Sequence, residues 1–213
     1  GALAMAAAGN AAARDGGLVI VAPKSFEAAL AGFVAHKQQL IPTRLVSLEA
    51  ALSGPGVDDP EKLKRFLDGL RRAEGTRYVL LVGDADVLPV RYMVLDRVTP
   101  EAFDYAFYPS DLYYADVARR DGSFDDWNGN KEGFHAGYFG EVRGEKNKSD
   151  PINFDGIDYR PELAVGRWPV STEDEVRIVA EKTIRYERGA GSGVPRAAFV
   201  ATGGWVENRP AMD

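Results

Sequence analysis

The sequence predicts an α/β fold, a mostly parallel sheet with helices on both faces. Three observations carry the prediction. Short runs such as LVIV at 18–21 and YVLLV at 78–82 are continuously apolar, as strands covered on both faces must be. The segments between strands repeat their apolar residues at helical spacing. Strand and helix then alternate along the chain, and parallel strands need such crossovers.

The first strand, Leu18–Val21, ends at Pro23. Ser25 is placed to cap a helix whose Phe26, Leu30, Phe33 and Val34 recur on one face. Thr43–Leu48 reads as a second strand, and the Gly/Pro/Asp segment SGPGVDDP leads from it to the next helix. That helix is expected to have Asp59 at its cap and Pro60 at its first position, to bury Leu63, Phe66, Leu67 and Leu70, and to stop at Gly75. The strand YVLLVG follows at once and should be central in the sheet. Late in the chain, ELAVGRW at 162–168 gives another strand. Thr172 and Glu175 then form a capping box for a helix whose inner face is Val176, Val179, Ala180, Thr183 and Ile184. AAFVAT at 197–202 is the last strand candidate.

Three regions follow. Residues 1–16, rich in Ala and Gly, read as a leader or cloning scar. Residues 17–190 form the α/β unit, with a long irregular insertion at about 90–160 where neither period persists. Residues 191–213 read as a linker, continuing GAGSGVP, and the first strand of a second unit.

A net charge of −6 with dispersed Lys and Arg excludes a general phosphate-binding surface, so nucleic acid is not an expected partner. The chain has no cysteine, hence no disulfide, thiolate metal site or cysteine nucleophile of its own. No apolar run approaches the roughly 20 residues that cross a bilayer.

Within the α/β unit, the strand-end loop GDADVLP brings Asp84 and Asp86 to the carboxyl edge of the sheet, where ligands gather in such folds. A phospho-acceptor role would also need acids after the first strand, where Val21, Ala22, Pro23 and Lys24 stand instead. The glycine cluster GAGSGVP follows a helix and precedes a strand, the reverse of a phosphate loop. The segment RDGSFDDWNGNKEG places oxygen ligands at alternating positions: Asp126, Asn128 and Asn130, with Glu132 beyond and Asp121 and Asp125 before. Calcium takes six to eight such oxygens, and Glu141 is placed to close the shell. It is not an EF-hand, because Lys131 stands where that loop needs glycine. A solvated Asp/Asn/Gly turn is the alternative. His36, near a helix end, and His135, in the insertion, have no nucleophile motif beside them, and His36 reads as a surface residue. Tyr105, Phe107, Tyr108, Tyr113, Tyr114 and Trp127 form either a contact surface or a small core beneath the insertion, and the core is the favoured reading.

The strings GLVIVAPKSFEAALAGFVAHKQQ, RYVLLVGDADVLP, PSDLYYAD, PELAVGRWPVSTEDEV and KTIRYERG, in that order, resemble the N-terminal part of gingipain-type cysteine peptidases, family C25, over residues 17–204. The resemblance implies a caspase-like fold in which this chain is the first of two α/β sub-domains. The catalytic His and Cys would belong to the second, and nothing here matches either. Glu207, in ATGGWVENRP, stands near the position of an acid that accompanies the catalytic histidine in that family. The resemblance also implies calcium binding, a secreted or cell-surface location, protein or peptide substrates, and a catalytic C-terminal chain or sub-domain of the same gene product as partner, held after autoprocessing or in one polypeptide. By itself this chain is expected to be inactive. The competing function is a calcium-stabilised, non-catalytic binding module.

Overall fold

In the computed structural model the described residues are 16–96, 105–129, 142–143 and 156–189. They build a four-stranded parallel sheet with strand order β2-β1-β3-β7 and, beside it, a three-stranded sheet of order β5-β4-β6. The main sheet comprises β1 (Gly17–Ala22), β2 (Thr43–Ser47), β3 (Thr76–Val82) and β7 (Ala164–Trp168). β1 pairs with β2 from Leu18↔Thr43 to Ala22↔Ser47, and β3 pairs with β7 from Tyr78↔Ala164 to Val82↔Trp168. The α/β expectation holds, with β3 inside the sheet and, among the described strands, β7 at one edge.

Alternation along each strand sends residues to two separate cores. Ile20, Ala22 and Val82 face α1 (Glu27–Gln38) and α5 (Glu173–Glu187), meeting Leu30, Phe33, Val176 and Ala180. Val19, Val21, Val79 and Leu81 face the other way, toward Leu63, Leu67 and Leu70 of α3 (Asp59–Glu74), and beyond them lie Tyr113, Tyr114 and Trp127. Helices therefore cover both faces.

Two caps differ from expectation. Ser25 makes no capping bond, because a 3-10 turn at Lys24–Phe26 leads the chain into α1. α3 is capped one residue earlier than the sequence suggested: Asp58 accepts the Glu61 N–H at 3.0 Å, and Pro60 lies within the first turn. Gly75 ends the helix at φ 67°, the left-handed conformation that glycine tolerates best. The capping box of α5 is present, with Thr172 and Glu175 bonding each other's backbone. Residue 48, expected at the end of β2, instead opens the short helix α2 (Leu48–Ala51), because Ser47 caps it by accepting the Ala50 N–H.

The insertion is more regular than the sequence suggested. β4 (Arg91–Asp96) and β5 (Tyr105–Ser110) pair antiparallel, Tyr92 opposite Pro109, and Val142–Arg143 (β6) pairs parallel to β4. Pro109 argues against a strand by composition, yet among the described strands β5 lies at the sheet edge, where a missing N–H is tolerated. α4 (Leu112–Ala115) follows and carries the buried Tyr113 and Tyr114 into the α3-side core.

Asp58 does a second job there: Arg91 donates to both of its carboxylate oxygens, at 2.8 and 2.9 Å. Burial alone would raise the Asp58 pKa, but the bonds from Arg91 and from the Glu61 N–H hold it below the ordinary 3.8. A lowered folded pKa contributes stability above that ordinary value, and the contribution is lost as pH falls through the folded one. Asp58→Ala removes cap and partner together and is expected to cost about 2 kcal/mol, discounted for partial exposure. Urea unfolding at pH 7 and pH 3 checks it, since the deficit should shrink in acid.

Candidate functional site

At the carboxyl end of β3 the chain turns sharply through GDADVLP. Gly83 sits at φ +149°, and a Cβ there would lie 2.9 Å from the Leu88 Cβ, so only glycine fits. The Asp84 carbonyl accepts the N–H groups of Val87 and Leu88, while the Asp84 N–H donates to Val170. Asp84 and Asp86 are exposed. The Asp84 carboxylate accepts the neighbouring Ala85 N–H at 2.7 Å, and Asp86 accepts the Ser171 hydroxyl at 3.4 Å. Both sit at the sheet edge the sequence indicated, but each serves its own turn and they do not converge on one point.

What fixes this loop is Arg167 of β7. Its Nε and Nη2 donate to the two oxygens of Asp111, each at 2.8 Å. Nη1 donates to the carbonyls of Gly83 (2.7 Å) and Leu88 (3.2 Å), and Nη2 to that of Pro89 (3.2 Å). A guanidinium has five N–H donors. All are engaged, so Arg167 has none left for a substrate carboxylate. The Tyr114 hydroxyl adds a bond to the Pro89 carbonyl at 2.6 Å, and burial pushes its pKa up, keeping it a donor. The clamp joins the end of β3, the start of α4 and β7.

The acidic segment of the insertion is held by local bonds. Asp121 accepts the Ser123 hydroxyl and N–H, which hold its carboxyl below the usual range. Asp125 accepts the Trp127 N–H at 3.0 Å, and Asp126 accepts the Asn128 N–H at 3.1 Å. The Arg119 guanidinium lies 3.7 Å from Asp125 and 4.0 Å from Asp126. Among the described residues no three His, Cys, Asp or Glu side chains come together to hold a metal ion. A guanidinium thus stands beside two of the expected calcium ligands. Asn130, Glu132, Glu141, His135 and Glu207 lie outside the described residues.

His36 is buried, contrary to its surface reading. Its Nε2 lies 2.8 Å from Glu187 at the end of α5, and Lys37 meets the same carboxylate. The aromatic cluster is a core where it is described. Tyr113, Tyr114 and Trp127 are all 0% exposed, and Trp127 stacks edge-on against Tyr113 and Tyr159. The side chains of Tyr105, Phe107 and Tyr108 lie outside the described ones.

Sequence reasoning missed several buried ionisable side chains, among them Glu61, Asp68, Arg91, Lys64 and Asp116. Lys64 and Asp116 are both fully buried. Lys64 stands three residues before Leu67 on the helix stripe, a spacing that could have flagged it. Glu162, also unflagged, accepts the N–H groups of Val117 and Ala118 at 2.9 and 3.0 Å and ties β7 to the insertion. Nothing among the described residues pairs a nucleophile with a base: Ser171, bonded to Asp86, has no histidine partner there.

Comparison with known proteins gives one sequence-level match. A model of peptidase family C25 matches residues 11–213. No curated protein matches. Solved structures with similar coordinates include a complex of the Porphyromonas gingivalis RgpB pro- and mature domains, at 20% identity and a TM-score of 0.47, covering 80% of this chain and 29% of that one. The Arg-specific cysteine proteinase gingipain R (RgpB) is similar at 19% identity and a TM-score of 0.47, with 81% and 28% covered. A protein described only as a protease is similar at 19% identity and a TM-score of 0.48, with 82% and 29% covered. The chain thus spans less than a third of the length of each.

Proposed function

Because this chain belongs to peptidase family C25, we propose that it is the non-catalytic α/β unit of a gingipain-like cysteine endopeptidase, bracing a catalytic unit of the same gene product. The observation that carries the reading is the Arg167 clamp. The strings VGD…LP, SDLYY and VGR meet in it through Gly83, Leu88, Pro89, Asp111 and Arg167, and the meeting is structural, with every guanidinium donor engaged. A chain without cysteine supplies no thiolate. The thiolate, its histidine and the oxyanion donors would come from the partner unit. Protein or peptide substrates, a secreted or surface location and processing into two chains belong to the same reading.

Reconstitution tests it. This chain and the remainder of the gene product, expressed separately and mixed, should associate and hydrolyse peptides together. A remainder that lacks a Cys/His pair would end the proposal. The rival reading, a binding module using the aromatic insertion, is not favoured, because Tyr113, Tyr114 and Trp127 face the core.

Calcium stays within the proposal only if residues 130–141 complete a shell. In that case chelation should lower the melting temperature of the protein. At free calcium a hundredfold above Kd the ion contributes about 2.7 kcal/mol. No shift with chelator removes calcium from the account.

A further inference from the structure

Among the described residues, Lys64 Nζ, both carboxylate oxygens of Asp116 and Trp127 Nε1 are buried in the α3-side core without a hydrogen-bond partner. The Lys64 ammonium, on α3, lies 4.2 Å from the ring centre of Tyr113, 5.0 Å from that of Trp127 and 5.7 Å from that of Phe124. The insertion therefore closes over α3 around an amine that has no anion within ion-pair reach among the described residues. We propose that Lys64 and Asp116, both buried without a hydrogen-bond partner, together make a pH-sensitive fastening between α3 and the insertion segment 112–129.

Charged neighbours surround each member among the described residues. Asp125, Asp116 and Asp126 from the insertion favour the charged Lys64, and Arg91 of β4 opposes it. Lys64 favours the charged Asp116, while Asp125, Asp158 and Glu162 oppose it. Burial outweighs these neighbours in both cases, pulling the Lys64 pKa from 10.5 to about 7 and lifting that of Asp116 from 3.8 to about 7. For Asp116 the folded pKa is the higher, so its stabilisation is complete in acid and is lost as pH rises toward 7. For Lys64 the folded pKa is the lower, so its stabilisation is complete at high pH and is lost as pH falls toward 7. The two limbs meet in a minimum. Opening there would also release α4, which follows Asp111 of the Arg167 clamp.

Amide exchange of the full-length protein from pH 5 to pH 9.5, corrected for intrinsic rates, tests this. Reporters are the Asp125 and Leu163 amides, which bond Val117 and Ala115, read against β1. The opening constant should peak near pH 7 and fall on either side by up to about tenfold per pH unit, the one-proton limit. Lys64→Met should flatten the limb above pH 7, and Asp116→Asn the limb below it. A minimum of opening near pH 7 would reveal an ion pair and overturn the proposal, as would a flat profile or a variant that alters the wrong limb. The wild-type profile decides even if neither variant folds.

Discussion

Arg167→Ala is expected to cost about 3 kcal/mol of folding stability, the lower end of the range for removing one partner of a buried pair, because Asp111 remains partly exposed. The loss has two parts. Asp111 is left as a carboxylate without its bidentate partner, and the carbonyls of Gly83, Leu88 and Pro89 lose the donor that draws them to β7. Arg167→Lys keeps the charge but cannot span Asp111 and three carbonyls with one ammonium, so it should recover less than half of the loss. Urea unfolding of both variants checks this. A cost below about 1 kcal/mol for the alanine variant would place the pair among ordinary surface ion pairs.

Trp127→Ala is expected to cost about 3–5 kcal/mol, the range for deleting a large buried aromatic side chain. Trp127 is 0% exposed and stacks on Tyr113 and Tyr159, at 5.5 and 5.4 Å between ring centres. It also roofs Lys64, so its removal takes away one wall of the aromatic box. Its backbone stands at φ 61°, an unusual conformation for a bulky residue, and the local bond from its N–H to Asp125 holds the turn there. Trp127→Phe, which keeps the apolar contact but not the full volume, should fall between wild type and alanine. Denaturation monitored by circular dichroism at one pH compares the three.

The main sheet was legible because each strand carries its own local signal. LVIV and YVLLV are apolar throughout, and the Thr172–Glu175 box announces α5 without tertiary information. β4 and β5 were not legible, because Pro109 argues against a strand and RYMVLD and YAFYPS do not alternate apolar and polar residues at a strand's period of two. The Arg167 clamp joins residues 56 and more apart, so no window of sequence contains it. The strings that form it could be recognised, but not their meeting. The acidic segment carries a pattern that has two readings. Alternating Asp and Asn is the pattern of oxygen ligands, and it is also the pattern of residues that accept the N–H two positions on, as Asp125 and Asp126 do. Lys64 was overlooked because a lysine beside an apolar stripe ordinarily reaches water, whereas here the insertion covers it.

The claim on which the rest depends is that this α/β unit organises a peptidase without supplying its nucleophile. Turnover of a mixed peptide library by the isolated 213-residue chain, purified free of contaminating proteases, tests it most directly. The expected result is cleavage no faster than the blank, with activity arising only when the remainder of the gene product is added. Cleavage by the chain alone, travelling with it through every purification step, would contradict the account.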